Sequence, residues 1–318
     1  SSKSTKSFKR YNSGAYFMYQ EINEECGVAA ISLKKPLEHY PKGGSAYYMF
    51  LMLNELQNRG QRAAGFYTFN NNRNRKLDGE KTVGLVTDLF KLKNPEQFGK
   101  TMEAYQGTTA IGHVRYATSG NCKTPKDWLD ETQPFYFRHG NPSKRFTLGW
   151  NGNLANHSEL ETFLKNNYGI EPETEVDTEL MMYLISNEIE TTTNGSKNVD
   201  FPKILQTIHK RLDGGYSIAL MDGHGSIHAF RGPPAIMPLC YGENEYMFAV
   251  ASETSALEKI GITNHQSFKS GEIISHKNNT TQHTPTQHQT YRNNQTTPQK
   301  KIQNQQNNKE QRDFTPCF

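Results

Sequence analysis

The sequence predicts an α+β fold built on antiparallel sheets. Segments with strand character occur in runs, separated by runs of helical character, without the regular β–α–β alternation of a doubly wound parallel sheet. Residues 216–221 and 226–230 are two strand segments joined by Asp222-Gly223-His224-Gly225, a hairpin connection. No internal repeat is visible along the 318 residues.

In order along the chain, residues 27–33 read as a buried strand ended by Lys34-Lys35-Pro36. Residues 45–58 form a helix, with Tyr48, Leu51, Met52, Glu55 and Leu56 at helical spacing. A strand over 63–69 runs into a polar loop at 70–75, and further strands cover 109–116 and 146–150. Ser158 with Glu161 has the capping-box pattern of a helix start, for a helix through residue 167. Asp177 or Thr178 caps a second helix reaching about residue 189. A third follows Pro202 and stops at Asp213-Gly214-Gly215. A strand at 248–252 and a short helix at 255–260 complete the pattern.

Hydrophobic residues make up 34% of the chain, low for a fully globular protein, and polarity concentrates at the two ends. Residues 276–318 are mostly Asn, Gln and Thr, too poor in apolar groups to offset the entropy of ordering, and are expected to be a tail or linker. Residues 1–25 are expected to be a propeptide or leader, which leaves 26–275 as the folded domain. The first twenty residues carry four cations and no acid, and the tail carries six cations against two acids. The net charge of +4 therefore leaves residues 21–275 acidic by about four charges, which speaks against nucleic-acid binding. The Ser/Lys-rich start has the composition of an organellar transit peptide without an amphipathic face, and a cytoplasmic location is expected. No apolar run approaches the ~20 residues that span a bilayer. Four cysteines (Cys26, Cys122, Cys240, Cys317) are far apart, with no CxxC pair, so neither a disulfide framework nor a structural zinc site is expected.

Cys26 opens a strand directly after Asn23-Glu24-Glu25. If the preceding peptide bond were cut, its thiol and a free α-amine would form a nucleophile and base on one residue. With reference values of about 7.7–8.0 for the amine and about 8.5 for the thiol, the amine can accept the thiol proton near neutral pH. Cys26-Gly27-Val28 is followed by Asn58-Arg59-Gly60-Gln61-Arg62, Gly112-His113-Val114-Arg115-Tyr116-Ala117-Thr118-Ser119-Gly120, and Trp150-Asn151-Gly152-Asn153-Leu154. Asp177-Thr178-Glu179-Leu180 and Ala251-Ser252-Glu253-Thr254 come later. In this order the set resembles the class II glutamine amidotransferase domain, an N-terminal-nucleophile hydrolase. Within that group it is most similar to the glutaminase half of the amidophosphoribosyltransferases. Arg115-Tyr116-Ala117-Thr118-Ser119-Gly120 and the acidic residues before Cys26 carry that finer resemblance, which spans roughly residues 24–275.

The resemblance implies a four-layer αββα sandwich and hydrolysis of L-glutamine at Cys26, supplying ammonia for the first committed step of purine synthesis. By the same resemblance, the Asn151 side chain and the Gly152 N–H receive the oxyanion. Arg115 and Thr118 bind the substrate carboxylate, Asp177 binds its ammonium, and Arg59 lies near the nucleophile as support or scaffold. The phosphoribosyltransferase half, supplied in cis or in trans, has no counterpart here, although Thr315-Pro316-Cys317-Phe318 is similar to the segment that precedes it. Magnesium, or an iron–sulfur cluster, would belong with that half, so no cofactor or metal is expected in this chain; the complete protein would be a homo-oligomer. Two other readings stand beside this one: the glutaminase of another class II amidotransferase, or an unprocessed, non-catalytic relative acting as a regulatory or binding module.

Residue by residue, plainer roles exist. A lone Cys at a strand start is usually a small buried hydrophobe. Arg115 alone reads as an ion-pair partner, Asp177 as a helix N-cap, and Asn151-Gly152 as a hairpin turn. His276, His283 and His288 read as solvated members of the polar tail. Three positions depart from the family pattern: Arg62 stands where an acid is usual, Ala235 where a turn glycine is, and Met237 where an arginine is. If the backbone at Ala235 requires positive φ, a strain of about 1 kcal/mol follows.

Overall fold

A computed structural model describes residues 26–116, 124–193, 198–233 and 235–286. The strands in chain order are β1 (Gly27–Leu33), β2 (Ala63–Phe69), β3 (Leu77–Val83), β4 (Thr109–Arg115), β5 (Phe135–Phe137), β6 (Phe146–Leu154), β7 (Gly214–Asp222), β8 (Ile227–Arg231), β9 (Cys240–Glu243), β10 (Met247–Ala251), β11 (His265–Ser267), β12 (Glu272–Lys277) and β13 (Thr280–Pro285). The helices are α1 (Ser45–Glu55), α2 (Val86–Leu89), α3 (Pro95–Ala104), α4 (Pro125–Asp130), α5 (His157–Tyr168), α6 (Asp177–Thr193), α7 (Phe201–His209) and α8 (Thr254–Lys259).

Seven strands form one sheet in the order β11-β9-β10-β1-β4-β2-β3, and six form a second in the order β13-β12-β8-β7-β6-β5. Every ladder between them is antiparallel. The sheets face each other through Val28, Ala30, Ile111 and Val250 on one side and Ala219, Met221, Ala229 and Ile274 on the other. Helices α1, α2 and α8 cover the outer face of the first sheet. Helices α5, α6 and α7 cover that of the second. The result is the αββα order of an N-terminal-nucleophile hydrolase, in agreement with the expected α+β class.

Strand β1 is apolar at nearly every position because both of its faces are covered. Val28 and Ala30 point into the inter-sheet layer, while Ala29, Ile31 and Leu33 meet α1. Fully burying a side chain such as Val28 or Ile31 contributes roughly 1.5–3 kcal/mol. In α1, Ala46, Met49, Met52 and Leu53 form the buried stripe.

Several boundaries differ from expectation for identifiable reasons. Helix α5 starts at His157, so Ser158 sits inside its first turn and does not cap it. The preceding Asn156 is tied instead to the segment before β7, donating to the Arg211 carbonyl (2.8 Å) and accepting from the Asp213 N–H (3.0 Å). Helix α7 stops at His209. Strand β3, which reads LDGEKTV, has too little apolar alternation to announce itself, and it lies at a sheet edge.

The polar tract contains structure beyond residue 275. Strand β13 pairs along β12 through Asn278 and Asn279, whose φ values of 49° and 61° make a two-residue left-handed hairpin turn. An edge strand needs only its backbone ladder, so Thr280–Pro285 can be polar and mostly exposed. His276, expected to be solvated, is buried: its ring stacks on Phe248 (centroids 4.4 Å apart) and its Nδ1 meets Thr281 Oγ1 at 2.9 Å. His283 is half-exposed and pairs with Glu272 at 3.0 Å. His288, Cys122, Cys317 and Thr118 lie outside the described residues. Among the described residues, no helix is long and apolar enough to cross a membrane.

Ala235 adopts φ of +63°. The loop is held there by Arg231, whose guanidinium donates to the carbonyls of Ala235 (2.6 Å), Met237 (2.9 Å) and Phe268 (2.8 Å). An L side chain in this region is strained, so Ala235→Gly should stabilise the domain by about 1 kcal/mol. Urea unfolding checks this: the midpoint should rise without a change in slope, and an unchanged or lower midpoint would rule out strain at this position.

Candidate active site

Cys26 immediately precedes β1, and the pairing of Gly27 with Val114 brings it beside the end of β4, where Arg115 and Tyr116 lie. Its carbonyl accepts from Arg59 Nε at 3.3 Å, and Arg59 Nη1 pairs with Glu253 Oε1 at 2.8 Å. The Val28 N–H donates to Ser252 Oγ at 3.0 Å. The Ser252-Glu253 motif thus anchors the chain on both sides of Gly27. Gly60 packs directly on the end of β4: a Cβ there would lie 2.7 Å from the carbonyl carbons of Val114 and Arg115. Burial pushes the Cys26 thiol above its ordinary value, against the Tyr116 backbone N–H and the charges of Arg115 and Arg59, which pull it down.

Arg115 is buried and paired with Glu131. Trp128 lies against two guanidiniums, with Arg115 at 5.4 Å and Arg62 at 5.8 Å from its ring centre. Arg62, which stands where the family pattern has an acid, thus lies within cation–π distance of Trp128.

Asn151 and Gly152 lie in β6, which continues to Leu154 and not merely to Trp150. They therefore belong to a strand and not to a hairpin turn. The backbone of Trp150 is clamped from two directions: its N–H donates to Gln133 Oε1 (2.6 Å), and its carbonyl accepts from His113 Nε2 (3.1 Å). Its ring stacks on Tyr216, 4.9 Å away, and its Nε1 donates to the Gly152 carbonyl at 3.1 Å. Gly152 has φ of +155°, and a Cβ would stand 2.4 Å from the Gly215 carbonyl oxygen, so no other residue fits. Asn151 is buried, and its Nδ2 has no hydrogen-bond partner among the described residues.

Asp177 is the first residue of α6. One carboxylate oxygen accepts from the Leu154 N–H at 2.9 Å, and the other meets His157 Nδ1 at 2.7 Å. Burial pushes this carboxyl above its ordinary value, opposed by the hydrogen bonds from His157 and Leu154. Cys26, Arg115, Asn151, Gly152, His157 and Asp177 line one cavity of about 270 Å³. A thiol, a cation, an anion and a buried amide donor thus converge from the start of β1, from β4, from α6 and from β6 on a space suited to a small zwitterion.

The family described as "Glutamine amidotransferase domain" matches residues 124–259. Over 258 residues the chain is 34% identical to an amidophosphoribosyltransferase of Pasteurella multocida, which covers 78% of this chain and 45% of that protein. The amidophosphoribosyltransferase of Escherichia coli is 32% identical over 257 residues, 78% of this chain and 46% of its own. This chain carries a class II glutamine amidotransferase domain related to the amidophosphoribosyltransferases. The fold agrees with the glutamine phosphoribosylpyrophosphate amidotransferase of Bacillus subtilis, solved with ADP and GMP, at a TM-score of 0.64 and 26% identity, over 82% of this chain and 49% of that one. The chain spans about half the length of the relatives it matches.

Within this amidotransferase domain the structure brings together five of the residues singled out in the sequence: Cys26, Arg115, Asn151, Gly152 and Asp177. Arg59 touches Cys26 from the other side, through its carbonyl. Sequence reasoning missed His157 and Gln133, and it quoted His113 and Trp150 within motifs without assigning them a role. The His157–Asp177 pair spans twenty residues across a chain reversal, so no local spacing reveals it.

Burial drives His113 down to about 3, with the Trp150 carbonyl opposing and Arg115 and Lys81 adding to the depression; His276 falls to about 4, chiefly through burial. Both are therefore neutral in the fold. Their contribution to stability is complete above the unfolded value of about 6.5 and is lost as pH falls toward the folded values. At about pH 5 each should cost the domain roughly 2 kcal/mol relative to pH 8. Urea unfolding at a series of pH values tests this, because His113→Gln should flatten the acid slope by about one proton's worth. An unchanged slope would contradict it.

Proposed function

We propose that this domain hydrolyses L-glutamine to glutamate and ammonia, with Cys26 as the nucleophile once the Glu25–Cys26 peptide bond is cut. The observation that carries the reading is the convergence on one cavity of Cys26 with the buried amide of Asn151, whose Nδ2 has no hydrogen-bond partner among the described residues. A buried donor left without a partner costs about 1–3 kcal/mol, so its persistence calls for a ligand atom to satisfy it.

The freed α-amine of Cys26 takes the thiol proton, and the thiolate attacks the side-chain amide carbon of glutamine. The negative charge that gathers on the amide oxygen is received by Asn151 Nδ2 and the Gly152 N–H. The intermediate collapses as the leaving nitrogen takes the proton from the α-ammonium, releasing ammonia and leaving a γ-glutamyl thioester. Water, deprotonated by the same amine, attacks the thioester; glutamate departs and the thiol is regenerated. A thiol that burial has pushed up needs this neighbouring base. Asp177 receives the substrate's α-ammonium. Arg115, whose guanidinium presents its N–H donors in a fixed fork suited to a carboxylate, meets the α-carboxylate, with Thr118 adding a hydrogen bond.

The ammonia acceptor belongs to a partner unit. Because the relatives are about twice as long and are named for phosphoribosyl transfer, we assign that role to a phosphoribosyltransferase domain, and we read the reaction as the entry to purine synthesis.

N-terminal sequencing of the purified protein should begin at Cys26, and Cys26→Ala should abolish glutamine hydrolysis. Asn151→Ala should lower kcat by about 10²–10³ with little change in KM, whereas Asp177→Asn should act mainly on KM. A protein that begins at Cys26 and releases no ammonia from glutamine, even with the phosphoribosyltransferase half supplied, would remove the proposal.

A further inference from the structure

His157 has no part in the chemistry above, yet it lines the same cavity and its Nδ1 lies 2.7 Å from Asp177 Oδ1. The other oxygen of Asp177 is held by the Leu154 N–H, so the imidazole is the one side chain among the described residues that pairs with this carboxylate. His157 Nε2 has no hydrogen-bond partner among the described residues. The imidazole is partly exposed, at 25% of its side-chain surface, so it can exchange protons with solvent.

A carboxylate that is to hold a substrate's ammonium must offer its charge. A neutral imidazole donating Nδ1–H orients Asp177 and leaves the charge on the pair at −1. A protonated imidazole makes the same hydrogen bond but brings the pair to zero. We propose that His157 is a positioning residue that determines specificity for the α-ammonium: neutral, it presents Asp177 to a cationic substrate group; protonated, it takes the place of that group as the carboxylate's counter-ion. This rests on the reading of Asp177 as the ammonium site.

Other charges face this pair. Arg115 of β4 and Cys26 before β1 line the cavity, as does Glu175 in the segment entering α6. Glu159 and Glu161 lie on α5 itself, and Arg211 and Asp213 occupy the segment bound to Asn156. The freed Cys26 amine titrates too, and the comparison of variants separates it from His157.

The test is calorimetric titration of the full chain with L-glutamate, which carries the ammonium and is not turned over, and with glutarate, which lacks it. From about pH 8 to about pH 5.5 the wild type should lose roughly tenfold in glutamate affinity. His157→Asn, which can still donate an N–H to Asp177 but cannot ionise, should retain glutamate binding at pH 8 and lose most of that pH dependence. His157→Gln serves as a second variant. The glutarate response should be the same with and without the imidazole. A His157→Asn protein that keeps the wild-type pH dependence for glutamate overturns the inference, as does an equal effect on glutarate. Failure of the underlying reading looks different: Asp177→Asn would leave glutamate affinity at pH 8 unchanged, or the wild type would not bind glutamate at any pH.

Discussion

The layer between the two sheets is the constraint on which the rest of the molecule depends. It is filled by apolar side chains from both sheets, short ones such as Val28, Ala30, Ala219 and Ala229 beside large ones such as Ile111, Met221 and Phe248, which hold the sheets face to face. That apposition brings the start of β1, the end of β4 and the middle of β6 to one place, although they are far apart in sequence. His113 spans the layer directly, a strand β4 side chain reaching a strand β6 carbonyl. The register of β1 against β4 and of β6 against β7 then decides which residues face the cavity, since a slip of one residue would turn each side chain to the opposite face.

Around this layer the cavity is assembled from supports that do no chemistry themselves. Arg59 and Glu253 hold Cys26 by its backbone, Gln133 and His113 hold Trp150 by its backbone, and Leu154 and His157 hold Asp177 by both oxygens. Cys26 and Trp150 are thereby fixed through backbone atoms, while the carboxylate oxygens of Asp177, each already accepting one hydrogen bond, keep lone pairs for a further donor. Such fixing by a surrounding shell is what turns a set of suitable residue types into a site of defined geometry.

The strands buried on both faces were legible in the sequence, because continuous apolar runs such as residues 27–33 and 63–69 have few other uses. The motif residues that converge on the cavity were legible too, as a resemblance carried by their order along the chain. What stayed hidden depends on tertiary partners. Strand β3 is polar and lies at an edge. Strand β13 is a Thr- and Gln-containing segment whose order comes from its ladder to β12. His276 looked like part of a solvated tail until Phe248, distant in sequence, supplied a stacking surface. The His157–Asp177 contact depends on how α5 and α6 meet at β6, which no single segment encodes.

The β12–β13 hairpin changes the meaning of the polar tract that follows residue 275. Strand β12 buries Ile273 and Ile274, and its neighbour β13 presents Gln282 and His283 toward solvent. A chain shortened at the compositional boundary would expose an apolar strand with an open row of backbone donors and acceptors, ready to pair with another copy. The segment that composition marks as dispensable therefore acts as a soluble selvage, a border that keeps the sheet from growing into its neighbours.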